Sequence, residues 1–226
     1  PILEPPRGFC DTFLGPGQCD YEKMIENLGK PYFLESPGLG LKWHPCSAPQ
    51  FLAADAALHL KRAHDIRYED VAKMEVSIPP LRYARHYAPE VKTGLRGKFA
   101  INYVVAMCIL DGKLELATFT DEKVNQPQVQ EAFGKVQVIC DETIPEPGPY
   151  CPVTVELKNG ARLSHTAKVA KGHPQNPMTE NEVREKFRGN AKLVVSEKRA
   201  EELNDRVQKL ETVDDVKKLV ELVIFS

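Results

Sequence analysis

Apolar and polar positions along the chain fall into blocks of helical period and blocks of strand period. The block that organises the rest is residues 48–63. There Phe51, Ala54, Leu58 and the stem of Arg62 share one face at helical spacing, while Leu52, Ala56 and Ala63 make a second. Two apolar faces predict a helix buried on two sides, with Ser47 as N-cap, Pro49 in the first turn and Gln50 completing a capping box. Asp55 interrupts this pattern, and an acid so placed requires a partner. A second strong helix is predicted over 93–110, where Ile101, Val104, Val105, Cys108 and Ile109 form one stripe and Gly112 supplies the stop. Asn125 is expected to cap a short helix through Pro127, Val129 and Phe133 that ends at Gly134.

Near the start, 7–14 and 20–28 read as short helices broken by Gly15-Pro16-Gly17, the second capped by Asp20, with 32–34 extended after it. Near the end, Thr179 and Glu182 form a capping box for a helix to about 193. Two more amphipathic helices follow over 197–210 and 213–223, the last opened by a threonine cap.

Strand period appears at 71–78, where Val71, Lys73, Glu75 and Ser77 oppose Ala72, Met74, Val76 and Ile78 until Pro79-Pro80 ends the run. Residues 81–91 carry no clean period and read as a loop or broken helix over a cleft. Strand signals return at 136–140, 153–157 and 161–169, the last two joined through Asn159-Gly160, a strong hairpin signal. The simplest assembly is α+β: one antiparallel four-stranded sheet carrying helices on one face.

Composition narrows the function classes. The chain has 226 residues, is 42% hydrophobic and carries a formal charge of −2, with Lys and Arg scattered. A core is affordable at that size, and neither nucleic acid nor an anionic membrane is an expected partner. No apolar run reaches bilayer length and the start lacks a signal peptide's regions, so the cytosol is the expected compartment. The six cysteines are too dispersed for a disulfide scaffold and read as free thiols. The chain starts at Pro1 without a methionine, and its opening reads like the interior of something longer.

Candidate chemistry gathers at Gly40-Leu41-Lys42-Trp43-His44-Pro45-Cys46-Ser47, just ahead of the central helix. Lys42 has two readings: a solvent-directed lysine whose stem covers Trp43, or a cation at a cleft edge that binds a carboxylate or exchanges a proton. Tyr103 is either a core tyrosine with a satisfied hydroxyl or an acid. Cys46 is a buried inert thiol or, with its sulfur at the helix start, a more acidic one. His173, between Gly172 and Pro174, reads as a loop-fixing residue. A metal site is not expected. His59 and His64 point roughly 140° apart on a helix, and His44 and Cys46 lack further ligands at zinc spacing. No P-loop, G-x-S-x-G elbow or strand-linked G-x-G-x-x-G occurs.

Four motifs taken in order, Leu41-Lys42-Trp43-His44-Pro45-Cys46, Gly97-Lys98-Phe99-Ala100-Ile101-Asn102-Tyr103, Asn125-Gln126-Pro127-Gln128-Val129, and Gly172-His173-Pro174 with Lys186-Phe187-Arg188, resemble the MmgE/PrpD family. That family includes 2-methylcitrate dehydratase, cis-aconitate decarboxylase and iminodisuccinate epimerase. The resemblance covers essentially the whole chain but only the second half of such a protein. It implies that 1–45 ends a helical-domain segment and its linker, that 46–171 is an α+β lid domain, and that 172–226 returns to the helical domain.

It also implies that Lys42 contacts the substrate, that Tyr103 is the catalytic tyrosine beside it, and that His173 helps bind substrate. The implied chemistry uses no cofactor and no metal. A base, supplied by the absent N-terminal half or a partner chain, removes a proton next to a carboxylate while cations hold the other carboxylates of a small tri- or dicarboxylic acid. A cytoplasmic homodimer is the expected assembly. Three functions stay open: the C-terminal part of a dehydratase or decarboxylase, a non-catalytic binding or scaffold remnant, and an epimerase.

Overall fold

The computed structural model describes residues 2–3 and 6–224, and the chain divides into two compact units, Pro1–Gly40 and Leu41–Ser226. The smaller unit carries α1 (Phe9–Leu14) and α2 (Tyr21–Ile25), the latter capped by the Asp20 carboxylate, which accepts from the Lys23 N–H at 3.1 Å. The stretch expected to be extended after α2 is a pair of turns instead. The N–H groups of Glu35 and Ser36 both donate to the Tyr32 carbonyl, at 2.9 and 3.0 Å.

In the larger unit α3 (Phe51–Ala63) is the central element, and Ala53, Ala54, Ala56 and Ala57 are all fully buried. Its small side chains let it lie between two neighbours, the sheet on one side and a second buried helix on the other. The start of α3 departs from expectation. Residues Ala48–Gln50 form a tight turn ahead of it, the Ser47 side chain caps nothing, and Gln50 is buried rather than reaching back to a cap.

The first strand, β1 (Val71–Ile78), follows. A bulge between Val71 and Lys73 turns Val71 inward with Met74, Val76 and Ile78 and leaves Ala72 exposed. Strict alternation would have buried the alanine, and burying the valine removes more apolar surface from water. Pro80 then opens α4 (Pro80–His86) at its first position.

The single helix expected over 93–110 is two. After α5 (Gly94–Gly97), Ala100 is extended before α6 (Ile101–Asp111) begins. A Cβ on Gly94 would lie 1.9 Å from the Phe119 carbonyl oxygen, so α5 is held against the 116–119 turn and cannot run straight on. Helix α6 has no polar stripe at its centre. Every residue from Ile101 to Ile109 is buried, and Gly112 ends the helix with a left-handed φ of 72° as expected. The Lys61 ammonium donates to the Ile109 carbonyl at 2.6 Å, tying the last turn of α6 to α3.

Two short helices, α7 (Asp121–Val124) and α8 (Pro127–Gly134), lead to β2 (Val136–Cys140), and α8 packs on α6. Asn125 does not cap α8; its amide donates to the carbonyls of Lys92 and Asp121, and Pro127 at the first position does the starting. Strands β3 (Cys151–Leu157) and β4 (Arg162–Ala167) form the expected hairpin, with Gly160 at φ 85°.

The sheet order is β2-β1-β3-β4. It is mixed, not purely antiparallel: β1 and β2 run parallel, Met74 opposite Val136 through Ile78 opposite Cys140, while β1–β3 and β3–β4 are antiparallel. The long helical connection between β1 and β2 returns the chain to the same end of the sheet, as a parallel crossover must. The expected one-sided packing is seen for α3 under β3 and β4 and for α6 under β1 and β2. On the opposite face Arg162 of β4 pairs across strands with Glu75 and Glu156, and Lys73 pairs with Glu75 along β1.

The tail has α9 (Glu180–Ala191), opened by the Thr179/Glu182 capping box, then α10 (Glu197–Gln208). Beyond it, α11 (Lys217–Val220) is short, and the Thr212 hydroxyl donates to the Lys209 carbonyl instead of capping a longer helix. Among the described residues no helix is long and apolar enough to cross a membrane.

Candidate functional site

The stretch 41–47 lies against the loop that follows β4 because of one glycine. The Leu41 N–H donates to the Gly172 carbonyl at 2.8 Å, and a Cβ on Gly172 would stand 1.9 Å from the Leu41 carbonyl oxygen. Only a residue without a side chain, comfortable at φ 88°, allows that approach. Lys42 and His173, each next in sequence to one of these two residues, are thereby brought to the same edge. Both are exposed. The His173 ring accepts from the Gln175 N–H at 3.1 Å through Nδ1, which fixes the ring within its loop.

Helix α9 adds a lysine to this edge. Lys186 donates to the Trp43 carbonyl at 3.0 Å, and its ammonium is held below the ordinary lysine range by burial and by the nearby charge of Lys42. Among the described residues neither Lys42 nor Lys186 pairs with a carboxylate. Two lysines near enough for the charge of one to depress the other, neither of them paired with a carboxylate among the described residues, form a place where a carboxylate is attracted from outside.

Behind this corner runs a polar chain that is fully matched. His44, only 2% exposed, meets Asp55 through Nε2 at 2.8 Å; the other Asp55 oxygen accepts from the Lys171 N–H at 2.7 Å. The Lys171 ammonium in turn pairs with Glu182 at 2.8 Å. Asp55 thus has the partner that its place in an apolar helix demanded, and it ties α3 to the loop that carries Gly172. Cys46 is also buried here, and its thiol is pushed up to about 12 by burial, which leaves it un-ionised at neutral pH.

Beside Lys186 opens a cavity of about 420 Å³, with Trp43, His44, Leu58 and Arg62 on one wall and the 113–117 segment on another. Tyr103 is not at the Lys42 edge. It is fully buried, its ring packs on Phe119 at 5.9 Å, and its hydroxyl donates to the Thr118 carbonyl at 2.6 Å. Burial raises its phenol above the ordinary tyrosine range. Through Thr118 it holds the turn whose Leu116 and Ala117 line the cavity. Sequence reasoning missed Lys186 as a site residue; the signal was a lysine on the inner side of a capped amphipathic helix, visible only once that helix is docked.

The family model described as the MmgE/PrpD C-terminal domain matches residues 44–212, well over half of the chain. The chain belongs to the MmgE/PrpD family. Lys42 stands just ahead of the matched span of this MmgE/PrpD domain, and Tyr103, His173 and Lys186 lie within it. Among curated proteins, cis-aconitate decarboxylase of Mus musculus is 27% identical over 204 residues, covering 85% of this chain and 41% of that protein. The Homo sapiens enzyme of the same name is 28% identical over 202 residues, with the same two shares of 85% and 41%. A cis-aconitate decarboxylase-like protein of Aspergillus oryzae, oryM, is 24% identical over 212 residues, covering 89% of this chain and 43% of its own length. The chain spans less than half the length of these curated relatives.

Proposed function

We propose that this chain forms one wall of a cofactor-independent lyase acting on a small tri- or dicarboxylic acid of the cis-aconitate or 2-methylcitrate type. The observation that carries the reading is the Lys42–Lys186 corner, two lysines that lack a carboxylate partner among the described residues, with Lys186 lining a cavity. The names of the curated relatives, cis-aconitate decarboxylases, support a polycarboxylate over other anions.

In this reading Lys42 holds one carboxylate of the substrate, and His173, exposed beside it, contacts a second. Lys186, recessed at the Trp43 carbonyl, adds positive charge from behind. Tyr103 serves from inside, as a positioning residue that fixes the cavity wall through Thr118. Decarboxylation breaks a carbon–carbon bond, carbon dioxide leaves, and the electron pair stays on a carbon that then takes up a proton. Dehydration removes a proton beside a carboxylate and expels the hydroxyl as water. Both develop negative charge next to a carboxylate, and cations held without a counter-ion stabilise that charge more than the ground state. The electron sink is thus part of the substrate. The proton-transfer groups come from a segment corresponding to the part of the relatives that this chain does not cover.

The test is to express the chain together with such an N-terminal segment and assay carbon dioxide release from cis-aconitate and water loss from 2-methylcitrate. Turnover of either, reduced at least a hundredfold by Lys42→Ala, is the expected result. A folded assembly that turns over and binds neither acid overturns the reading.

A further inference from the structure

A second groove, of about 770 Å³, opens between α3 and β4, and neither Lys42 nor Lys186 lines it. Asp55, His59 and Arg62 project into it from one face of α3, at helical spacing. Opposite, His165 stands on the inward side of the edge strand β4, at the position paired with Val153. The rings of His59 and His165 stack with centroids 3.8 Å apart and planes 21° apart.

The charges facing this stack are unequal. Arg62 from α3, Lys168 from the end of β4 and Lys171 from the following loop are cations, and Asp55 and Glu182 are the acids. Both acids are already taken: Asp55 by His44 and the Lys171 N–H, Glu182 by the Lys171 ammonium and the Thr179 N–H. Among the described residues Arg62, Lys168 and the two imidazoles make no hydrogen bond or ion pair. Two stacked imidazoles at this distance do not both become charged without a counter-ion.

We propose that this groove binds a small polyanion, carrying sulfate, phosphate or carboxylate groups, together with a proton taken up by the His59–His165 pair. Arg62 and Lys168 flank the stack and meet the anion's oxygens, Arg62 with its planar fork. Partial burial and the neighbouring imidazole hold His165 below the ordinary histidine range. An anion reverses that balance. By linkage, a ligand whose binding raises the proton affinity of the pair binds more tightly as the pH falls.

Sulfate is the probe, because its charge is constant from mildly acid to mildly alkaline pH. The whole chain is titrated with sodium sulfate at fixed ionic strength, following the imidazole proton signals of His59 and His165. Sulfate is expected to raise the titration midpoint of the pair, and its apparent affinity to rise by up to about tenfold per pH unit as the pair protonates. His165→Phe keeps a stacked ring and is expected to abolish the pH dependence. Lys168→Gln, an exposed change that leaves the fold intact, is expected to weaken sulfate at every pH. Lys42→Ala is expected to leave sulfate binding unchanged, which separates this site from the proposed substrate corner. Sulfate shifts no larger than those of chloride, or a pH dependence that survives in His165→Phe, overturn the proposal.

Discussion

The Lys42–Lys186 corner and the chain from His44 through Asp55 to Lys171 are close in the fold and built from the same kinds of side chain, yet their charge balance is opposite. In the interior chain every charge meets a partner between 2.7 and 2.8 Å. At the corner Lys186 has the Trp43 carbonyl at 3.0 Å, and among the described residues neither it nor Lys42 has a carboxylate partner. Polar groups that satisfy one another hold elements together; polar groups left unmatched at a surface are available to a ligand. The same residue types therefore divide into architecture and function by their partners rather than by their identity.

Gly172→Ala is expected to break the comparison altogether. The added Cβ has no room beside the Leu41 carbonyl and the φ is left-handed, so a loss of about 4 kcal/mol or more should appear in chemical denaturation. Asp55→Ala comes next. It strips His44 and the Lys171 N–H of their acceptor, at a cost of about 2–5 kcal/mol in the same measurement.

Tyr103→Phe leaves the Thr118 carbonyl without its donor inside the core and should cost about 1–3 kcal/mol. The smallest effect on stability belongs to Lys42→Ala, within about 0.5 kcal/mol of the parent, because among the described residues that exposed ammonium makes no hydrogen bond or ion pair.

The same substitution sharpens the comparison through pH. The folded Lys186 ammonium titrates below its unfolded range, so it subtracts stability while charged, and that loss fades as the pH rises through the depressed value towards the unfolded one. Lys42→Ala removes the repelling charge, though not the burial, and should move the Lys186 midpoint upward in a nitrogen-detected titration.

How much was legible beforehand follows the same division. The strands at Val71–Ile78 and Val136–Cys140, the Asn159-Gly160 hairpin and the Thr179 capping box were readable because each depends on neighbours in sequence. The direction of β2 was not read from its own residues. The long helical connection from Ile78 to Val136 was the available sign of a parallel crossover. The break between α5 and α6 arises from the contact of Gly94 with Phe119, a long-range packing event that propensity does not register.

At the site, Asp55 announced its need for a partner, but not that His44 and Lys171 would supply it. Lys42 and His173 were singled out by motif, and the structure sets them at one edge through Gly172. Tyr103, from the same set of motifs, sits in the core. Only docked helices distinguish a lysine such as Lys186 at a cavity from one in solvent.

The most direct measurement of the account is calorimetric titration of the chain with tricarballylate, an unreactive tricarboxylate, at low ionic strength, comparing the parent with Lys42→Ala and Lys186→Ala. The account predicts saturable binding that weakens by at least tenfold, about 1.4 kcal/mol, in each variant while the fold is unchanged. Equal binding in all three proteins would contradict the claim that the unmatched lysines are the carboxylate site.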